Sequence, residues 1–209
     1  MSKYTLYGVE GSGNCLKVRM LLGFLRQEYT AVAPAGLKPA SEELLAVNPL
    51  GQVPVLVVDN ADGSRRAVIR DSNAILTYLA LEHKAESWYP VGDSAAAAKV
   101  QEWLSYGTSE VNHALLWVRI KNKFSWDIPV TYDVALERAR TVLAFVESQL
   151  SSPFLTGDSP TIADIAVFPY VALAESSSDG AIKLADYVKV SLWIERIKAL
   201  PDMTALPPW

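Results

Sequence analysis

The chain has 209 residues, half of them apolar and a fifth charged, with a formal net charge of −4. That length exceeds one modal domain of ~100–150 residues, so one large or two small domains are expected. The mild acidity argues against a nucleic-acid partner, which would need clustered Lys and Arg. A single cysteine, Cys15, leaves no intramolecular disulfide, and no apolar run approaches the ~20 residues of a membrane span. The start, Met-Ser-Lys-Tyr-Thr-Leu-Tyr, lacks the apolar stretch of a signal peptide, so a cytoplasmic protein with no membrane association is the expectation.

Tyr4 to Val9 reads as a short strand closed by Glu10-Gly11-Ser12-Gly13. Asn14 to Leu25 then carries Leu16, Met20 and Gly23–Phe24 at helical spacing, with Lys17, Arg19 and Arg26 between them. This is a helix opened by a Gly-rich loop. Tyr29 to Ala33 gives a second strand, completing a βαβ unit. After the Pro34–Pro39 stretch, Ser41 caps a short helix to Ala46, with Glu42 and Glu43 in its first turn to suit the helix dipole. Asn48-Pro49-Leu50-Gly51 is a turn, Val53 to Val58 a strand, and Asn60 to Ser64 a hairpin turn into Ala67–Arg70. Asp71-Ser72 opens a helix to about His83. The order is βαβαββα, over residues 1–83.

Pro90, Gly92 and polar neighbours mark 84–94 as a linker. Residues 95–209 read entirely as helix: Ala95 to about Lys121 as one long helix or a bent pair, then Tyr132–Leu150, Thr161–Glu175 and Tyr187–Leu200.

Three features of the first region carry chemistry. Gly11-Ser12-Gly13-Asn14-Cys15 ends a strand and opens a helix, where unpaired backbone N–H groups stabilise an anion or thiolate. Ser12 offers a hydroxyl donor and Asn14 an amide donor, although both residue types are also ordinary helix caps. Gln52-Val53-Pro54 places a proline at the start of a strand, where it cannot donate to the ladder. A cis bond is plausible there, and Val53 would keep a free N–H and C=O for an extended peptide. In Asp71-Ser72-Asn73-Ala74-Ile75, a serine at a helix start suits a carboxylate and its neighbouring Asp an ammonium. Together they fit an amino-acid zwitterion.

The order and spacing of these features resemble the glutathione-binding half of the glutathione S-transferase superfamily. The stretches Asn48-Pro49-Leu50-Gly51-Gln52-Val53-Pro54-Val55-Leu56 and Asp71-Ser72-Asn73-Ala74-Ile75-Leu76-Thr77-Tyr78-Leu79 look very like its central motifs, and Thr161-Ile162-Ala163-Asp164 fits its buried capping box. The pattern is that of a cytosolic, serine-type, theta/zeta-like member. The resemblance implies an α/β thioredoxin-like N-terminal domain followed by an all-α C-terminal domain. It also implies glutathione as co-substrate, a homodimer, and conjugation of the thiolate to small apolar electrophiles.

By the same resemblance Val53 pairs through its backbone with the cysteinyl part of glutathione, Pro54 is cis, and Asp71 and Ser72 hold the γ-glutamyl end. The family usually has Glu where Asp71 stands. Ser12 is the expected thiol activator and Asn14 its rival, with no metal or separate base required. Cys15 is expected to turn inward and pack. An electrophile is expected between the domains. Tyr106 and Trp117 are its candidate contacts, although aromatic residues at helical spacing, such as Trp103, His113 and Tyr170, are more often core. Reduction or isomerisation with glutathione, and a non-catalytic interaction module of the same fold, are the competing expectations.

Overall fold

The computed structural model describes residues 3–203. The chain divides into two compact units, one ending at Lys84 and taking in the chain again from Pro201, the other spanning Ala85–Leu200.

The first unit is built on strands β1 (Tyr4–Tyr7), β2 (Thr30–Val32), β3 (Val55–Asp59) and β4 (Arg65–Arg70), in the sheet order β2-β1-β3-β4. β1 runs parallel to β2, with Leu6 opposite Ala31, and antiparallel to β3, with Leu6 opposite Leu56. β4 pairs antiparallel to β3. The helices are α1 (Gly13–Phe24), α2 (Glu42–Val47) and α3 (Ser72–Glu82). This is the expected βαβαββα order, a thioredoxin-like layer arrangement.

Val55 to Val58 are all buried, which fits a central strand covered on both faces. Val55 and Val57 pack with Leu44 and Val47 of α2. Leu56 and Val58 point to the opposite face, where α3 meets the strand and itself packs on α1. Ser41 caps α2 as expected, its hydroxyl accepting from the Leu44 N–H at 3.4 Å.

The second unit is helical throughout. α4 (Ser94–Tyr106) runs without a break through a ten-residue π-helical segment, Gly107–Leu116, into α5 (Trp117–Phe124). The long helix read from the sequence is therefore one continuous element whose middle is widened. Gly107 opens the widened segment, and a Cβ there would lie 3.3 Å from the Ala166 carbonyl oxygen, a tight contact that would push the two backbones a few tenths of an ångström apart. α6 (Tyr132–Gln149), α7 (Ile162–Ala172), the short α8 (Ala174–Ser177) and α9 (Val188–Lys198) complete the unit.

Every residue of α7 from Ile162 to Val171 is buried, which makes it the central helix. It stops at Ala172, short of the expected Glu175, and the chain restarts as α8. Among the described residues no helix is long and apolar enough to cross a membrane.

Candidate functional site

The site residues predicted in the first region lie on three neighbouring segments. The first is the start of α1. Ser12 is its N-cap, with extended backbone at φ −90° and ψ 120°, and its Oγ accepts from the Cys15 N–H at 3.3 Å. Capping uses the oxygen as acceptor, and the same hydroxyl acts as a donor on the neighbouring Cys15 thiol. The N–H groups of Gly13 and Asn14 make no hydrogen bond with any described residue, as befits the first turn of a helix.

Cys15 is buried, at 1% exposure. Its sulfur is sealed behind Gly8, where an added Cβ would sit 3.0 Å from Sγ. Burial raises the thiol above its ordinary range despite the opposing contributions of Ser12 and Val9. This is a packed thiol.

The second segment is the turn into β3. The Val53–Pro54 peptide is cis. Val53 precedes the β3 ladder, and neither its N–H nor its C=O pairs with a described residue. Gln52 is exposed, and its carbonyl accepts from the Asn48 side-chain amide at 2.8 Å. Asn48 is itself buried and accepts from the Leu50 N–H at 3.2 Å through Oδ1. It is a strut for this segment that the sequence reading passed over. The readable signal was an Asn immediately before Pro49, a residue type that bonds its own backbone in turns.

The third segment is the start of α3. Asp71 has the left-handed φ of +79°. Its Oδ1 accepts from the Asn73 and Ala74 N–H groups at 2.9 and 3.0 Å, which leaves Oδ2 for another donor. Ser72 is buried and its Oγ lies 3.4 Å from Asn14 Oδ1. That contact ties the start of α3 to the start of α1 and engages Asn14 in holding them together.

One residue corrects the sequence reading. Lys17, read with Arg19 and Arg26 as lying between the apolar positions of the first helix, is fully buried. Its placement between Leu16 and Val18 gave no periodic signal of this. Burial lowers its ammonium to about 8, against the pull of Asp71. The fall from 10.5 is equivalent to about 3 kcal/mol of disfavour for the charged form.

The helical unit holds a cavity of about 620 Å³, lined by Tyr106, Glu110, His113, Arg138 and Phe145 among others. Burial and the nearby Glu110 push the Tyr106 phenol up to about 12, so it stays a neutral donor. Trp117 is not on the cavity wall. Its ring backs two wall residues, with the His113 ring centroid at 5.0 Å and the Arg138 guanidinium at 5.6 Å. Trp103 and Tyr170 are core residues. Among the described residues no group of three His, Cys, Asp or Glu is placed to hold a metal ion.

The arrangement as a whole recurs in known proteins. Residues 6–87 match the glutathione S-transferase N-terminal domain and residues 129–196 the glutathione S-transferase C-terminal domain. A glutathione S-transferase from Xanthobacter autotrophicus Py2 is similar at 30% identity, over 98% of this chain and 97% of that one, with a TM-score of 0.84. A glutathione transferase homologue from Drosophila mojavensis, with bound glutathione, is 27% identical over 96% of this chain and 90% of its own, with a TM-score of 0.80. Elongation factor 1-gamma of Prunus avium is 30% identical over 67% of this chain, which spans 34% of that protein. With both domains matched in order, and a full-length structural relative at this identity, the chain belongs to the glutathione S-transferase superfamily.

Proposed function

We propose that the protein binds glutathione where α1, β3 and α3 begin and conjugates its thiolate to small apolar electrophiles, with Ser12 as the thiol-activating donor. The carrying observation is that Ser12 stands at the N-cap of α1, its hydroxyl beside the unbonded N–H groups of the first turn. In this reading Val53 pairs with the cysteinyl backbone as an added strand, beside Gln52 and Pro54. Asp71 Oδ2 takes the γ-glutamyl ammonium, and Ser72 takes its carboxylate by turning its hydroxyl from Asn14 Oδ1 to the ligand.

The magnitudes are adequate. A thiol of pKa ~8.5 needs ~2.7 kcal/mol of preferential thiolate stabilisation to fall by ~2 units. One hydroxyl donor to an ionised acceptor supplies ~1.5–3 kcal/mol and the helix start ~0.3–1. The thiol proton leaves to solvent, the thiolate sulfur bonds the electrophilic carbon, and the leaving group departs with the electron pair. Asn14 is the rival activator: its carbonyl oxygen accepts from Ser72, and its amide NH2 is the group that would donate to the sulfur.

Tyr106 and Trp117 are proposed for the electrophile, Tyr106 as a direct contact and Trp117 as backing for His113 and Arg138. The active form is proposed to be a cytoplasmic homodimer. The likeness to elongation factor 1-gamma favours one second reading, a non-catalytic module that keeps the fold. A glutathione-affinity assay and an activity panel on wild type and Ser12→Ala separate the two. Expected are binding largely kept in Ser12→Ala and conjugation lost by ~10–100-fold, equivalent to ~1.4–2.7 kcal/mol. Wild type that binds glutathione but turns over no electrophile, chlorodinitrobenzene included, and reduces no disulfide or peroxide would favour the module. Loss with Asn14→Ala and none with Ser12→Ala would move the activating role.

A further inference from the structure

α1 buries one charged side chain, and it does so at the proposed glutathione site. Lys17 has no exposed surface, whereas the other buried residues of α1 are Gly13, Cys15, Leu16, Val18, Met20, Leu21 and Leu22. A fold that needed only a packed helix would gain by an apolar residue at that position, since an ammonium is costly to desolvate.

Its location says what it serves. Long side chains on a helix lean back over the preceding turn, so Lys17 reaches toward the turn that carries Asn14. Asn14 in turn touches Ser72, the residue after Asp71. Asp71, at the start of α3, is the charged group that acts on Lys17. On the loop side of α1, Arg19 donates to the Glu10 carbonyl and acts on Cys15.

The pocket proposed above has to satisfy opposite demands. It must present a carboxylate, Asp71, to an ammonium, and it must also lower the energy of a thiolate and of carboxylates on the same small peptide. An uncompensated Asp71 would repel all of those anions. We propose that Lys17 is the buried counter-charge that balances Asp71, so that one pocket accepts both the ammonium and the ionised sulfur of glutathione. The proposal rests on the reading of this pocket as the glutathione site. Lys17 touches no ligand in it, and acts as a positioning residue through its field.

The test compares wild type, Lys17→Met, Lys17→Gln and Lys17→Arg as full-length protein, with folding checked by circular dichroism. The bound thiolate is titrated by ultraviolet difference absorbance, and affinities for glutathione and S-methylglutathione are measured by calorimetry. Lys17→Met and Lys17→Gln are expected to raise the pKa of the bound thiol by about one unit. They should weaken glutathione about tenfold at a pH where wild type holds the thiolate, and weaken S-methylglutathione less than about threefold. Lys17→Arg should restore most of both.

Equal weakening of the two ligands with an unmoved thiol pKa would make Lys17 a packing residue and overturn the inference, and so would no change in either. Should Lys17→Met fail to fold, Lys17→Gln and Lys17→Arg carry the same comparison; failure of all three to fold overturns the inference in favour of a structural role. Wild type that binds neither ligand would overturn the glutathione site itself, an outcome separate from the others.

Discussion

Two kinds of helix start in this molecule use the same residue types to opposite ends. At α7, Thr161 Oγ1 accepts from the Ala163 N–H, and Asp164 Oδ2 accepts from the Thr161 N–H at 2.9 Å. Asp164 Oδ1 is also filled, by the Leu155 N–H and the Trp193 indole N–H, each at 2.9 Å. Asp164 is 1% exposed. At α1, at α3 and at the turn into β3, by contrast, the N–H groups of Gly13 and Asn14, one oxygen of Asp71 and the backbone pair of Val53 stay open. A helix start whose hydrogen bonds all close inside the protein is a structural joint. One capped with donors and acceptors left over has capacity for a ligand.

The largest expected effect is at the closed joint. Asp164→Ala strands three buried donors, from Leu155, Thr161 and Trp193, and is expected to cost about 3–4 kcal/mol of stability in urea melts. Turnover per folded molecule should stay near wild type. Ser12→Ala should do the converse, with the rate loss given above and only about 1 kcal/mol lost from the α1 cap. If Asp164→Ala spared stability, or Ser12→Ala cost more stability than rate, the distinction between closed and open helix starts would not hold.

Asp71 permits a finer cut because it caps α3 and is also the group proposed to hold the ligand ammonium. Asp71→Asn keeps an oxygen for the Asn73 and Ala74 N–H groups, so the cap and the melting temperature should hold. The charge presented to the γ-glutamyl ammonium is lost, and glutathione affinity should fall about tenfold by calorimetry, or about 1.4 kcal/mol. Unchanged affinity would show that Oδ2 meets no ligand ammonium.

Most of this was legible in the sequence for a physical reason. Ser12, Asp71 and the Thr161–Asp164 pair are local features, in which a cap, its helix and its spacing lie within four residues. The Val53-Pro54 step announces itself by a proline where a ladder N–H belongs. The order of elements along the first unit followed from β-prone runs, helical spacing and turn residues, whereas the order of strands in the sheet did not. The tertiary facts were hidden. Lys17 looks like any surface lysine between two apolar neighbours, and its burial is set by tertiary packing on α1. Asn48 as a strut depends on where Gln52 turns. The π-helical widening at Gly107–Leu116 has no compositional mark, and the second carboxylate oxygen of Asp164 reaches Trp193, 29 positions away.

The smallest expected effect sets two carboxylates against each other through pH. Glu82, at the end of α3, receives a two-pronged bond from Arg66, at 2.6 and 3.0 Å, and a further one from Lys3. Arg66 first and Lys3 second hold it down to about 2, below its ordinary 4.5. Its folded-state pKa lies below its unfolded one. Its stabilisation is therefore full above about pH 4.5 and lost as pH falls toward about 2.

Asp164 behaves in the opposite sense. Burial raises it despite its three donors, so its protonation favours the folded state as pH falls through that raised value toward 3.8. The acid loss of the whole chain should therefore be shallower than Glu82 alone would give. Because Lys3 and Arg66 are both over a third exposed, Glu82→Gln should cost no more than about 1 kcal/mol at pH 7. The difference from wild type should vanish by about pH 2, measured in melts across that range. A difference that grew toward low pH would mean that the Arg66 and Lys3 contacts do not hold Glu82 in its ionised form, and the acid slope would then have to come from the other carboxylates of the first unit.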